Sequence, residues 1–330
     1  MAILLSGCGQ LGYLSQSLNG HLSLVAAARP VDDWLAQQDL TPALRERLLL
    51  SQRMRDFASA SLYLPDNGSY RRYADLKRGA AVWNVVATAE LSLGLATSCF
   101  PVMGCVGYRG FFDRADADAH AQTLRAAGLD VLVYGVPAYS TLGWSNWIGG
   151  DPLLNTFIYY PEGELAQLIF HELAHQVAYA ADDTAFNEAF ATAVERLGAA
   201  AWLHAQASPA AQAEYSAGRV RRERFLALIR PYRDHLSVLY AGGQPEATKR
   251  ATKALLFEQL RSAAAIDAGF SGWASRANNA SFALLSAYAD LSPAFEALFV
   301  RVGSDWPRFY AEVQRLAALP KPERRAQLQQ

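Results

Sequence analysis

Two helical hydrophobic patterns meet in residues 169–198, IFHELAHQVAYAADDTAFNEAFATAVERLG. In the first, Leu168, Ile169, Phe170, Leu173, Ala174, Val177 and Ala178 surround His171, Glu172 and His175. No Pro or Gly interrupts them, which is the pattern of a buried helix. Ala181-Asp182-Asp183-Thr184 then breaks the run with residues that cap helices. Asn187 opens a second run, on which Glu188, Thr192 and Glu195 lie at i, i+4 and i+7 and share one face. Antiparallel packing of the two helices turns that face toward the histidines.

The rest of the chain alternates between the two periods. Residues 11–60 read as helices. Leu22, Val25 and Ala28, then Leu44, Leu48 and Leu49, recur at helical spacing, Trp34, Leu35 and Leu40 add apolar surface, and Thr41 precedes Pro42 as an N-cap. Residues 61–112 look more β-like. Asn67-Gly68 predicts a hairpin between Leu62–Leu64 and Tyr70, and Ala81 to Val86 predicts a strand. A helix is expected over 115–128, ending at Gly128, with a strand over 130–136 and a short one over 155–160. After Gly198 the pattern is helical. Trp202 to His204 continues the glutamate helix, and Arg219, Arg221, Arg222 and Arg224 line a helix opposite Val220, Phe225, Leu226 and Ile229. These elements predict an α+β fold, mainly helical, with a small antiparallel sheet beside the two central helices and a helical C-terminal half. Four stretches follow: a tether over 1–20, a helical layer and β region over 21–150, the paired helices over 151–205 and a helical region over 206–330.

With 52% hydrophobic and 18% charged residues in 330, a sizeable core is possible and the composition argues against disorder. A formal net charge of −1 gives no electrostatic case for nucleic acid. The basic, aromatic run Tyr70-Arg71-Arg72-Tyr73 is too short to change that and reads as a solvated sheet face. No apolar run approaches the ~20 residues a membrane span needs.

The chemistry lies in the paired helices. His171 and His175, four residues apart, sit one turn above the other and can grip one ion. Imidazole suits zinc, and a catalytic zinc takes three protein ligands and a water. Glu188 is the third ligand, and Glu172 projects where it can take the water's proton. Thr192 and Glu195 are placed to hydrogen-bond the outer nitrogen of a ligand histidine. The expected cofactor is one Zn2+ ion.

HELAH followed by NEAFATAVE resembles the gluzincin metallopeptidases, whose H-E-x-x-H helix precedes a helix bearing a glutamate ligand. The longer set, FPVMGCVGYRGFF at 100–112, AYSTLGW at 138–144, DPLL at 151–154, IFHELAHQ at 169–176 and DTAFNEAFAT at 183–192, is similar to a bacterial family of zinc aminopeptidases, many of them predicted lipoproteins. That likeness covers nearly the whole chain. It implies zinc on His171, His175 and Glu188, Glu172 as the base, and a peptide or protein substrate. The gap from His175 to Glu188 holds twelve residues, shorter than in better-known gluzincins, and G-x-M-E-N, which holds a substrate's free amine in classical aminopeptidases of that clan, is absent. In gluzincins an edge strand pairs with extended substrate. Tyr139, Ser140 and Thr141 are the candidates, with a bent loop over the core as the other reading. Related enzymes stabilise the oxyanion with a Tyr or His from the C-terminal half. Tyr288 is the candidate, with Asn278 and Asn279 for substrate backbone, against a packed core and a helix cap. The expected reaction is peptide hydrolysis by an aminopeptidase. The rivals are an envelope endopeptidase of the same mechanism and a non-catalytic, zinc-stabilised scaffold lipoprotein.

Leu5-Ser6-Gly7-Cys8 resembles a bacterial lipobox, in which Cys8 is lipidated and, in a Gram-negative cell, Gly9 directs the protein to the outer membrane; the other reading is a plain apolar N-terminal strand with a buried Cys. The apolar stub before it is short and lacks a basic segment, so an upstream start or a trimmed chain is expected. The location expected is the periplasmic face of the cell envelope, with the membrane reached only through that lipid. With Cys8 lipidated, Cys99 and Cys105 are the remaining pair. A disulfide across a short loop fits the periplasm, free buried thiols are the alternative, and an isolated C-x5-C makes a poor zinc site.

Overall fold

The computed structural model describes residues 16, 19–20, 22–100, 104–138, 150–181, 183–286 and 291–329. Along the chain these include β1 (Arg29–Pro30), α1 (Val31–Leu35), α2 (Pro42–Ala60), β2 (Arg72–Ala74), β3 (Val82–Ala89), β4 (Ser98–Phe100), β5 (Gly104–Val106), β6 (Arg109–Phe111), α3 (Arg114–Ala126), β7 (Leu129–Val136), β8 (Leu153–Leu154), α4 (Glu162–Ala174), α5 (Thr184–Gln206), α6 (Pro209–Ala241), α7 (Glu246–Ala264), α8 (Ala268–Ala274), α9 (Asn279–Ser286), α10 (Ser292–Arg301), α11 (Trp306–Ala317) and α12 (Lys321–Leu328). Helix accounts for 62% and the sheets are small, so the fold is α+β and mainly helical. No helix among the described residues is long and apolar enough to cross a membrane.

The chain divides into two interleaved units. One takes the described residues of 1–82, 135–215 and 288–330, the other those of 83–134 and 216–287. The first is built on α4 and α5. Leu165, Ile169, Phe170 and Leu173 on α4 and Phe186, Phe190, Ala193 and Val194 on α5 have no exposure to solvent. Burial of each large side chain here contributes roughly 1.5–3 kcal/mol. Gly198 lets α5 approach closely, because a Cβ there would meet the Phe170 ring and Leu62. On its other side α5 meets α10, where Phe186 and Phe190 stack on Phe295 with ring centroids 4.9 and 5.8 Å apart.

Helix α2 starts as its sequence predicts, with the Thr41 hydroxyl accepting from the Leu44 amide at 3.3 Å. The β-hairpin expected at Asn67-Gly68 does not form. Arg55, fully buried on α2, gathers the carbonyls of Pro65, Asn67 and Ser69 into a loop instead. A buried guanidinium has to be hydrogen-bonded, and that demand outweighs the local turn preference. The small sheet of this unit is β1-β2-β8. It is mixed rather than antiparallel, since β2 pairs with β8 in parallel, Tyr73 opposite Leu153. The strand expected over 155–160 is a series of turns. The Asn155 side chain causes this, accepting from Leu76 N (2.8 Å) and donating to Arg78 O (3.1 Å).

In the second unit β3 lies between β6 and β7. Its helices close over Ile229, Leu236, Phe257, Leu260, Ala264, Ala274 and Phe282. The expected helix and strand over 115–136 appear as α3 and β7, with Gly128 between them at φ +82°, a left-handed turn that glycine adopts without strain. The β4–β5 register sets Cys99 opposite Cys105.

One contact ties the end of the described chain to the centre of the first unit. Asp183, 2% exposed, caps α5 by accepting from Phe186 N (3.3 Å). Its carboxylate also takes Arg324 Nη1 at 3.3 Å and Arg325 at 2.7 and 3.1 Å, both from α12. Burial alone would raise the Asp183 pKa, but the Arg325 hydrogen bonds and charge hold it below the ordinary aspartate value. This contribution is present above the unfolded aspartate pKa and is lost as pH falls through the depressed one. Replacing Asp183 by Ala removes the cap and takes the Asp183 carboxylate away from Arg324, which is only 3% exposed. Equilibrium urea unfolding of D183A is expected to show a loss of about 3–5 kcal/mol.

Candidate metal centre

Helix α4 carries His171 in its last turn and ends on His175, whose backbone is still helical and whose amide donates to His171 O at 3.3 Å. Nine residues later α5 begins, and its second turn brings Glu188 back. Asn187 fixes the return. Buried, it donates to Ala180 O and accepts from Ala180 N, both at 2.8 Å, locking the connecting loop onto the start of α5. Adjacent to His175, Gln176 donates to Ser69 Oγ (3.1 Å) and accepts from Asn67 Nδ2 (2.7 Å). The loop shaped by Arg55 is thereby docked on the end of the histidine helix.

The convergence is tight. His171 Nε2 and His175 Nε2 are 3.2 Å apart. Glu188 places one oxygen 3.4 Å from His171 Nε2 and the other 3.8 Å from His175 Nε2. The ligand-type atoms of the three residues all lie within 4.8 Å of one another. A tetrahedral ion with bonds of about 2.0–2.1 Å sets its ligand atoms roughly 3.3 Å apart, so two imidazoles and a carboxylate at these separations fit such an ion. Among the described residues this is the single group of three or more His, Cys, Asp or Glu that could hold a metal.

Glu195, two turns beyond Glu188, meets the far side of the first histidine, with Oε2 2.8 Å from His171 Nδ1. That contact sets the ring's orientation and fixes Nδ1–H as donor, leaving Nε2 for the ion. Thr192 is half-buried between the two glutamates and makes no hydrogen bond to either histidine among the described residues. His175 Nδ1 is buried with no partner there. Asn278 and Asn279 are in the other unit, with their amides engaged inside it. Asn278 donates to Val131 O (3.0 Å) and caps Ser281. Asn279 donates to Glu90 O (2.8 Å) and accepts from the Tyr240 hydroxyl (2.9 Å). Their observed role is to join α9 to the strand region. Tyr139, Ser140, Thr141, Tyr288 and Cys8 lie outside the described residues.

Asp183 caps α5 as the break at Ala181–Thr184 predicts, whereas the roles of Asn187 and Gln176, and the arginine partners of Asp183, carry little signal in the sequence. The signal for them is weak but physical: short polar side chains set within apolar runs have to find partners.

The charges at the centre oppose one another. Burial alone would push His171 down. Its hydrogen bonds to Glu188 and Glu195, with their charge and that of Glu172, reverse this and hold its pKa well above the imidazole value. His175 goes the other way, lowered to about 4 by burial and by the His171 charge. Burial would raise Glu188, and the two histidines outweigh it and keep that carboxyl below its usual value. In the metal-free cluster the two carboxylates thus favour the protonated form of His171.

The chain matches a family model described as "Putative aminopeptidase" (Aminopep) over residues 12–328. No curated protein and no solved structure matches it.

A metal has to displace the His171 proton, so binding is expected to release about one proton per ion and to tighten as pH rises. Calorimetric titration with Zn2+ in two buffers of different ionisation enthalpy measures that release. The proton's own contribution to metal-free stability has the opposite sign: it is complete below the unfolded histidine pKa and disappears as pH rises through the raised one.

Proposed function

Because the chain belongs to the Aminopep family, we propose that it is a zinc-dependent peptidase, with His171, His175 and Glu188 holding the ion and Glu172 acting as general base. The observation that carries this reading is the near-tetrahedral spacing of the two Nε2 atoms and the Glu188 carboxylate, with Glu172 the next residue after His171 on α4. A zinc ion bound there supplies a Lewis acid and lowers the pKa of water from about 16 toward 7.

The chain's own residues do the rest. Glu172 follows His171 on α4, so its carboxylate faces the same end of the cluster and accepts a proton from the attacking water. It then gives that proton to the leaving amine, which departs neutral when the peptide bond breaks. Glu195 keeps His171 in the tautomer that offers Nε2. Apolar burial of α4 and α5 gives these groups a rigid mount, which is what positioning for such a step demands.

The gluzincin-type pairing of the helices, the aminopeptidase direction of attack, an edge strand at Tyr139–Thr141 and an oxyanion donor at Tyr288 belong to the same proposal, supported by the motifs and the family. The lipid on Cys8, the outer-membrane location and the Cys99–Cys105 disulfide are supported by the Leu5–Cys8 motif and, for the cysteines, by the cross-strand register.

Glu172→Gln is expected to retain one zinc per chain while peptide cleavage drops by a factor of ~10² to 10⁴, the range general-base catalysis contributes. His175→Ala is expected to lose the metal. A peptide library read by mass spectrometry, with metal content by atomic absorption, checks both. Ladders trimmed from the amino end support an aminopeptidase, and internal cuts an endopeptidase. Zinc retained with no cleavage by the unaltered protein would overturn the enzymatic reading in favour of a scaffold.

A further inference from the structure

A groove that shares no residue with the metal centre opens between the end of α10 and one face of α11, inside the first unit. Its volume is about 700 Å³, within the range that holds a small organic ligand. Three arginines, Arg301, Arg308 and Arg315, line it together with one carboxylate, Glu312.

The local sequence accounts for the shape. Arg308, Ala311, Glu312 and Arg315 lie at i, i+3, i+4 and i+7 on α11 and so share one face. Arg301 is the last residue of α10. Between the helices Gly303 turns the chain at φ +85°, in the left-handed region that glycine takes up freely. Gly303 and Ala311 also line the groove, and between them they bring only one methyl group into it.

The charges in the groove do not balance. Glu312 and Arg315 satisfy each other, with Arg315 Nε 2.8 Å from one carboxylate oxygen and Nη2 2.7 Å from the other. Arg315 Nη2 also donates to Gln327 at 2.8 Å, which fixes the guanidinium further. The Arg301 and Arg308 side chains make no hydrogen bond or ion pair among the described residues. Two cationic groups thus border one concavity without a carboxylate of their own.

Their positions on the helices differ in kind. Arg301 stands at a helix C-terminus, where a cation is favoured. Arg308 stands in the first turn of α11, where the partial positive charge of the helix end opposes it. The capping carboxylate there, Asp305, is engaged with the Arg308 amide at 2.9 Å. The helix end and the neighbouring guanidinium charges all act against Arg308, and an anion seated between it and Arg301 reverses that balance. Two forked cations match an anion with several oxygens, and guanidinium groups suit phosphate in that way. The groove is much larger than a bare phosphate ion, so it has room for the organic part of an ester.

We propose that this groove is a second binding site, for the phosphate group of a phosphate ester, with Arg301 and Arg308 donating to its oxygens and Arg315, held by Glu312 and Gln327, as the third charge of the wall. A soluble phosphomonoester and the headgroup of an anionic phospholipid offer the same recognition chemistry. The proposal is independent of the peptidase reading.

The test uses the full, zinc-loaded chain. Calorimetric titration with glycerol 3-phosphate probes a soluble ester. Flotation with phosphatidylglycerol–phosphatidylcholine vesicles, against phosphatidylcholine alone, probes a headgroup. Binding of at least one probe is expected, and R301Q/R308Q is expected to weaken it about tenfold or more, the scale of losing charge-assisted hydrogen bonds. R301K/R308K keeps both charges but loses the forks, and a smaller loss is expected. It also carries the comparison if urea unfolding shows that the glutamine variant does not fold. R196Q, which removes an arginine paired with Glu296 at 3.2 Å elsewhere on the surface, is expected to bind as the unaltered chain does. Titration without flotation assigns a soluble ester, and flotation that needs phosphatidylglycerol assigns the headgroup. Binding of neither probe overturns the proposal. So does binding that survives both double substitutions, as expected of phosphate held by the zinc. Equal weakening by R196Q, the mark of net charge alone, overturns it too.

Discussion

Two imidazoles and a carboxylate cannot sit inside an apolar helix pair unless each has a partner. Uncompensated, any one of them costs several kcal/mol. The arrangement of α4 and α5 follows from that requirement. His171 is bracketed by Glu188 and Glu195. His175 faces His171 and Glu188. The helices have to cross where those bonds can be made, and the small residues Ala174, Ala189 and Gly198 let them do so.

The helix pair is steadied at two points that share one logic. Arg55 enters the core from α2 and shapes the loop that bears on Gln176. Arg324, also buried, enters from α12 and lies over Phe186 at 5.3 Å while it donates to Asp183 and to the carbonyls of Leu316, Ala317 and Leu319. In each case a buried cation is satisfied chiefly by backbone carbonyls. A guanidinium with five donors suits that role, whereas an ammonium does not. One support sits at the end of α4, the other at the start of α5.

Legibility in the sequence followed the range of the interaction. The histidine spacing, Glu188 and Glu195 lie on helices whose periodicity places them, so they could be read before any fold was known. The Thr41 cap and the Gly128 turn are equally local. The Asn67-Gly68 turn failed because Arg55 claimed its carbonyls, and the strand at 155–160 because Asn155 reaches back 77 to 79 residues. Asn278 and Asn279 look like ligand-binding amides in sequence, yet partners 147 to 189 residues away absorb them. Thr192 shares a helix face with the glutamates without sharing their contacts. A face shows only which residues point one way. What each one meets depends on the neighbouring elements.

The Asp183 cap has a consequence for how the protein is made. Its two arginine partners lie 141 and 142 residues downstream. During synthesis, α4 and α5 emerge long before α12, and a chain grows by only about 5–20 residues each second. For several seconds a nascent chain carries Asp183 as the local cap of α5 without the two arginines that hold its carboxylate from α12. The outer support of the helix pair is thus completed only once α12 has been made.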